Sequence, residues 1–592
     1  MMRAKKKVVR AFVQVNVLVL AIAVSSAGAQ VGSVNGEWHA YGADNGATKY
    51  STLDQINSEN VDRLRIAWRR STVDQSILDV VPNLGYGNAN RATPLMVNGI
   101  LYAPNAVGLV EAFDAGTGET IWVQQPIDDA PEAYRGAGHR GVAYWSNGDD
   151  QRIIAHRGEW LYALDPDTGD PFQDFGDGGR VDLKTGLSDG ARYRWGGAPT
   201  VVRDVIVVGQ SMSDTFITKE DVRGDVRAFD VRTGELRWVF HTIPQAGEFG
   251  TDSWADGAWE FSGHAPVWSL FAADEDLGYV YMPTSSSTND MYGGHRPGDN
   301  LFTNSGVALD ISTGERKWHF QYTPNDSWDY DEVGVHMLYD TLIDGEVRKV
   351  AAHFARNGFF YSIDRETGEF IKGAQYVNEL TWTAGLNPNT GMPLEYDPNL
   401  DVQLYNEEAR ALRVDRDEMK RACATWHGGV SHQPTAFNPE KGIAYGTGTE
   451  GCFAQTGARV ASLGPDGGVD RQNSERHEYT SDLYYGSVTA VDTNSHEVLA
   501  KAVTEIEVRS GAIVTAGGIV FTALQDGWVI AYHDETLQEL WRFNVGTPLK
   551  GAPVTYAIGP RQYLAVQASG RHLHPVKYDN LENSSYLFVF AL

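Results

Sequence analysis

The sequence predicts an all-β protein, an eight-bladed β-propeller with loop and short-helix insertions. Three observations predict it. A phrase made of small-x-Asp, a Thr-Gly turn and a closing Trp recurs, a β-rich run precedes most copies, and helical periodicity is scarce.

The clearest copies are "AFDAGTGETIW" (Ala112 to Trp122), "ALDPDTGDPF" (from Ala163), "AFDVRTGELRW" (Ala228 to Trp238) and "ALDISTGERKW" (Ala308 to Trp318). Weaker ones are "SIDRETGEF" (Ser362), "AFNPEKG" (Ala436), "AVDTNSHEV" (Ala490) and "AYHDETLQELW" (Ala531 to Trp541). The Asp-equivalent positions 114, 165, 230, 310, 364, 438, 492 and 533 make eight copies, 41 to 80 residues apart. Each copy reads as a strand, a tight turn with Gly where φ is positive, and a strand whose Trp docks against the neighbouring blade. Runs such as "PLMVNGILYAPN" and "PTVVRDVIVVGQ" supply the strands upstream. The best helical candidate is "NEEARALRVDRDEMKRA", Asn406 to Ala422, inside a long insertion. A β-solenoid or a pair of sandwiches is the alternative architecture.

The chain has 592 residues, 42% hydrophobic and 21% charged, so it is ordered but too long for one ordinary core. Residues 1–29 differ from the rest. "MMRAKKKVVR" carries five cations, "AFVQVNVLVLAIA" is apolar, and Ala27-x-Ala29 offers a cleavage site, together a secretory signal. Residues 30–592 are expected to form one exported propeller domain without a membrane span. Removing the leader leaves 44 cations against 77 anions, moving the net charge from −28 to −33. Nucleic acid is excluded as a partner on that balance. In an exported chain the only two cysteines, Cys423 and Cys452, are expected to form a disulfide. No CxxCH motif for attached haem and no paired CxxC are present.

The stretch "YTPNDSWDYDEVG", Tyr322 to Gly334, interleaves Asp326, Asp329, Asp331 and Glu332 with Trp328 and Tyr330. By itself it reads as a capped turn after a strand. Together with the Trp-terminated repeat, with "WHAYGADNGATKYSTLDQINSENVDRLRIAW" (Trp38 to Trp68) and with "RPGDNLFTNSGVALDISTGERKWHFQYTPNDSWDYDEVG" (Arg296 to Gly334), it resembles the quinoprotein alcohol dehydrogenases. These carry pyrroloquinoline quinone (PQQ). The motifs are most similar to the glucose and quinate dehydrogenase branch, and nearly the whole chain after the leader is covered.

The resemblance implies roles for particular residues. Asp329, in W-D-Y-D, would take the alcohol proton while hydride leaves for PQQ. Arg356, in "FARNGFFYSIDR", would polarise the quinone oxygens, and Arg140, in "HRGVAYW", would pair with PQQ carboxylates. Trp268, in "APVWS", would be the floor under the quinone. In "SMSD", Ser211, Met212 and Ser213 would lie along the cofactor, and Asp214 would replace the family's metal-binding Glu. Asp329, Asp331 and Ser286 complete the implied metal set, for Ca²⁺ or, through Asp331, a lanthanide.

Four positions depart from that pattern. The family's vicinal cysteines fall at Tyr134 and Arg135. Its metal-binding Asn falls at Ser286, with Asn289 as a substitute. Its Glu before x-T-P-L is Arg91. Its Asn-Trp pair over the cofactor is Ser431-His432, with Ser431 expected at the cofactor and His432 at the substrate mouth with Tyr134 and Arg135. These losses widen the expected pocket, towards a bulky secondary alcohol such as a sugar, a polyol or a trichothecene-like terpenoid. The expected acceptor is a c-type cytochrome, to which an acidic surface is suited. The competing class is a non-enzymatic propeller scaffold of the outer-membrane assembly type. A hydrolase would need a denser cluster than His427 and His432 provide.

Overall fold

The computed structural model of the chain describes residues 32–82, 84, 91–126, 134, 136, 138–187, 193–211, 222–288, 290, 293–410, 419–456, 478–479, 485–568 and 584–592. The leader therefore lies outside the described residues.

Among the described residues eight of the nine sheets are blades, antiparallel except for a two-residue parallel strand, Tyr50–Ser51, added to the seventh. The ninth is a small three-stranded sheet carrying Met419–Cys423. Blade 1 runs from Leu95–Val97 to Thr120–Val123, blade 2 from Ala143–Asn147 to Arg180–Asp182, and blade 3 from Thr200–Val202 to Leu236–Phe240. Blade 4 runs from Ala272–Asp274 to Arg316–Gln321 and blade 5 from Met337–Ile343 to Phe370–Gln375. Blade 6 spans Ala436–Asn438 to Val498–Thr504, and blade 7 spans Ala512–Thr515 to Glu539–Asn544. Blade 8 joins Val554–Ile558, Arg561–Gln567 and Tyr586–Ala591 to an outer strand from the other end of the chain, Arg65–Ser71. The ring is thus closed by a blade built from both ends of the described chain. Among the described residues no helix is long and apolar enough to cross a membrane.

The repeated phrase works as its chemistry suggests. Asp114 Oδ1 accepts the backbone N–H groups of Gly116 and Thr117 at 2.9 and 2.8 Å, which folds the turn. The Trp of one blade then lies on the turn glycine of the next and donates its indole N–H to that turn. Trp122 reaches Pro166 O at 2.8 Å, Trp238 reaches Ile311 O at 2.9 Å, and Trp318 reaches Arg365 O at 3.0 Å. Gly169 has φ 77°, and a Cβ there would stand 2.4 Å from Trp122, so only glycine admits the contact. Trp68, on the closing strand, lies on Gly118 of blade 1 in the same way, carrying the lock across the closure. An apolar cluster runs through blades 7, 8 and 1, with Phe521, Leu564, Phe590 and Leu101 buried.

Two expectations are corrected. The copies at 438 and 492 belong to one sheet, blade 6, while blade 8 carries no copy. The blade number is the expected eight, reached by a different assignment. The helix expected over 406–422 is not formed at its described ends. Residues 407–409 make a turn, and Met419–Cys423 is a strand paired with Cys452–Thr456. That pairing sets Cys423 opposite Cys452, and the expected disulfide is present.

Candidate functional site

The segment from Tyr322 to Gly334 links the outer strand of blade 4 to the inner strand of blade 5, and it is a loop. Asp326 organises it. One carboxylate oxygen accepts the N–H of Trp328 at 2.9 Å and the other that of Tyr330 at 3.0 Å. Trp328 and Tyr330 turn inward and are fully buried, bonded to Ala409 O at 2.8 Å and Ala424 O at 2.7 Å. Asp329 between them and Asp331 after them instead direct their carboxylates to Arg356. Asp329 has φ 57°, so the segment is not the extended run that would align Asp329 with Asp331; a left-handed residue does so instead.

Both carboxylates meet one guanidinium. Arg356 NH2 lies 3.5 Å from Asp329 and its NH1 lies 3.1 Å from Asp331. Arg356 is held from behind: its Nε donates to Trp426 O at 2.8 Å, and its backbone N–H donates to Glu332 at 2.8 Å. Burial raises the Glu332 carboxyl to about 8 despite those N–H donors. Asp331 also accepts the indole N–H of Trp268 at 2.9 Å and the backbone N–H of Ser286 at 2.7 Å. Burial lifts Asp331 to about 6, with Arg356 opposing and Asp290 assisting.

Trp268 is the centre of the second half. The Arg140 guanidinium stands 5.4 Å from its ring, and the His432 ring stands 5.5 Å away at 50°. Arg140 NH1 donates to the carbonyls of Gly196 at 2.7 Å and Trp268 at 3.2 Å. Arg91 NH1 donates to His432 Nε2 at 2.9 Å. Among the described residues neither Arg91 nor Arg140 has a carboxylate at ion-pair distance. Desolvation lowers Arg91 to about 9 and Arg140 to about 10, so both stay cationic at neutral pH. Burial, together with Arg91, Arg140, Arg509 and Arg356, holds His432 well below the usual histidine range.

Asp329, Asp331, Arg356, Trp268, Ser286, Arg140 and His432 are therefore brought together. Ser431 is buried beside His432, its N–H on Gln433 at 2.8 Å. Ser211 donates its N–H to Arg194 O at 2.6 Å, one residue after Gln210, whose N–H reaches Val267 O at 3.2 Å beside Trp268. The Ser286 hydroxyl is engaged with Asp326 at 2.8 Å and Asn304 at 3.0 Å. Tyr134 packs with Ile77, Val107 and Leu109. Met212, Ser213, Asp214, Arg135 and Asn289 lie outside the described residues.

The sequence reading missed Asp290, whose charge bears on Asp331 and whose carbonyl accepts the Asp329 N–H at 3.2 Å. It also missed Glu507 and Arg509, paired at 2.7 Å, with Arg509 2.6 Å from His427. No motif marks them. Among the described residues, Glu379 and the two cysteines form a close cluster of potential metal ligands, but those sulfurs are bonded to each other. Asp290, Asp329 and Asp331 carry hard oxygens of the kind a divalent or trivalent ion takes, but their carboxylates do not come within 4.8 Å of one another as a group in this structure.

The family profile described as "PQQ: Glucose/ethanol/alcohol dehydrogenase, beta-propeller domain" matches residues 38–378 and 392–564. The chain is 31% identical over 588 residues to the dehydrogenase subunit of alcohol dehydrogenase (quinone) from Komagataeibacter europaeus, covering 93% of this chain and 74% of that one. Its fold is similar to the solved quinohemoprotein alcohol dehydrogenase ADHIIG of Pseudomonas putida HK5. That match has a TM-score of 0.78 and 27% identity, over 94% of this chain and 80% of that one. It is also similar to a europium-containing methanol dehydrogenase, with a TM-score of 0.74 and 26% identity, over 94% and 98% of the two chains.

Proposed function

The chain belongs to the PQQ-dependent glucose/ethanol/alcohol dehydrogenase family and is an oxidoreductase acting on alcohols; from that premise we propose that it oxidises a bulky secondary alcohol, with Asp329 as the base. The observation that carries the assignment of Asp329 is the shared guanidinium of Arg356, 3.5 Å from Asp329 and 3.1 Å from Asp331 beside the Trp268 indole.

The residues fit the cofactor. A planar indole offers a stacking face, and Arg140 offers a buried cation to a carboxylate. Asp290, Asp329 and Asp331 offer hard oxygens to Ca²⁺ or a lanthanide, the second kind of ion being favoured by a higher carboxylate count. When bound, PQQ supplies the electrophilic carbonyl carbon that receives hydride.

The protein's own part is proton handling and orientation. Asp329 would accept the hydroxyl proton of the alcohol as the carbinol C–H bond yields its hydride. Arg356 holds that carboxylate in place at 3.5 Å and would put positive charge where negative charge develops. Asp331, locked by Trp268 and Ser286, holds the other side of the guanidinium. The two electrons would leave to a separate c-type cytochrome docking on the acidic surface, and the leader supports export.

Reconstitution tests this. Residues 30–592 are stripped of metal, then given PQQ with Ca²⁺ or La³⁺, and dye reduction is followed with sugars, polyols and terpenoid alcohols. Turnover requiring both additions, and lost in Asp329→Ala, is the expected result. PQQ-dependent turnover that survives in Asp329→Ala would remove the base assignment.

A further inference from the structure

Where the resemblance leads one to expect a glutamate the chain has Arg91, and where it leads one to expect an Asn-Trp pair it has Ser431-His432. The structure joins these two departures. Arg91 can only donate, so His432 Nε2 must be the acceptor of their 2.9 Å bond. A neutral His432 then carries its proton on Nδ1. That nitrogen is buried and has no hydrogen-bond partner among the described residues. Arg140, on the same indole, has carbonyl partners only.

Arg140 and His432 thus lie against the Trp268 ring, with Arg91 bonded behind His432, and among the described residues none of the three has a carboxylate within hydrogen-bond or ion-pair distance. The other arginines of the site differ: Arg509 has Glu507 at 2.7 Å, and Arg356 has its two aspartates. Arg140 is buried and Arg91 half-buried, and Glu507 acts on Arg91 only from beyond ion-pair distance, so a ligand bringing a nearer counter-charge would be favoured here. The arrangement is also one-sided. The Asp331 carboxylate, with Arg356 behind it, meets the indole N–H, whereas Arg140 and His432 lie against the ring itself.

We propose that Arg91, Arg140 and His432 form one carboxylate-binding site for the cofactor, in which Arg91 and the His432 Nδ1–H are contacts particular to this chain. This rests on the PQQ reading above and deepens it. Arg91 and Arg140 supply charge, and His432 both fixes Arg91 and adds a neutral donor. A planar quinone that bears several carboxylates would keep its reacting end towards Arg356 and Asp329 and set a carboxylate among these three donors.

The test is equilibrium binding, read by quenching of intrinsic tryptophan fluorescence, for PQQ and for its trimethyl ester. Wild type, Arg91→Ala, Arg91→Lys and His432→Ala are compared, with melting temperatures confirming that each is folded. A carboxylate site predicts that Arg91→Ala weakens PQQ by ~10- to 100-fold while the ester changes by less than about threefold. Arg91→Lys should recover part of the loss, and His432→Ala should weaken PQQ by ~10-fold. Folded variants that bind PQQ as wild type does would overturn the proposal. If such variants instead raise KM for hydroxy acids, the site belongs to the substrate. A wild-type protein that binds no PQQ would remove the cofactor reading itself, an outcome distinct from either.

Discussion

Glu332 accepts the backbone N–H groups of Arg356 at 2.8 Å and of the next residue, Asn357, at 3.2 Å, so the residue after the paired aspartates fixes the loop that presents their shared cation. His353 adds a 3.0 Å contact to the same carboxyl, and all of these groups are buried. Replacing Glu332 with Leu leaves two buried N–H groups without partners, at about 1–3 kcal/mol each. Expected is a large drop in melting temperature. In Glu332→Gln, which keeps an acceptor, kcat should fall by about tenfold with KM little changed. Calorimetry and steady-state kinetics on both variants check this.

Asp329→Asn keeps the size of the side chain and removes the base. Loss of kcat by about 10²- to 10⁴-fold is expected, with PQQ affinity within a few-fold of wild type. Fluorescence titration beside dye reduction separates the two quantities.

Several buried or half-buried histidines are held neutral chiefly by desolvation. His156 and His319 are lowered to about 4, and His353, His427 and His496 to about 3. In the unfolded chain each takes up a proton near 6.5. Between 6.5 and about 3 to 4 the unfolded state therefore binds more protons, and stability falls as pH falls, by up to about 1.4 kcal/mol per pH unit per histidine. Denaturant melts at pH 7 and pH 5 should show the loss. His496 stands at the turn-glycine position of its copy with φ 64°, which Asn also tolerates. His496→Asn should flatten the pH slope.

Gly169→Ala would press a Cβ to 2.4 Å from Trp122 at a φ of 77°. A loss of about 2–4 kcal/mol is expected from the strained backbone and the overpacked contact together. Gly99 also has a positive φ, but nothing lies within 4 Å of its Cβ position. Gly99→Ala should therefore cost only the backbone part, about 1–2 kcal/mol. Paired melts of the two variants isolate the Trp lock.

The blades were legible because each turn must spend an Asp and a Gly, and each blade junction that follows the pattern a Trp; those costs repeat visibly along the chain. Blade 8 escaped because its four strands come from residues 65–71 and 554–591 and lack the Asp turn. The copy at Asn438 misled because an Asn turn, closed by its own side chain onto Glu440 at 3.0 Å, can serve an inner hairpin as well as an outer one. The pattern over 406–422 has helical spacing, yet its end pairs as a strand with the partner cysteine's segment. Asp329, Asp331, Trp268 and Arg356 could be read because each sits in a distinctive phrase. Asp290 and Glu507 could not, since no phrase marks them, and the Arg91–His432 bond could not, since it joins loops 341 residues apart in sequence.

The strand Arg65–Ser71 waits for Tyr586–Ala591, its only ladder partner among the described residues. During synthesis the ring must therefore remain an open arc, with one apolar edge unsheltered, until Tyr586–Ala591 has been added. Seven blades' worth of chain can form sheets before then, but none of them can be sealed at the join. Any stop before Tyr586 should yield an arc that aggregates through its bare edge rather than a slightly smaller enzyme.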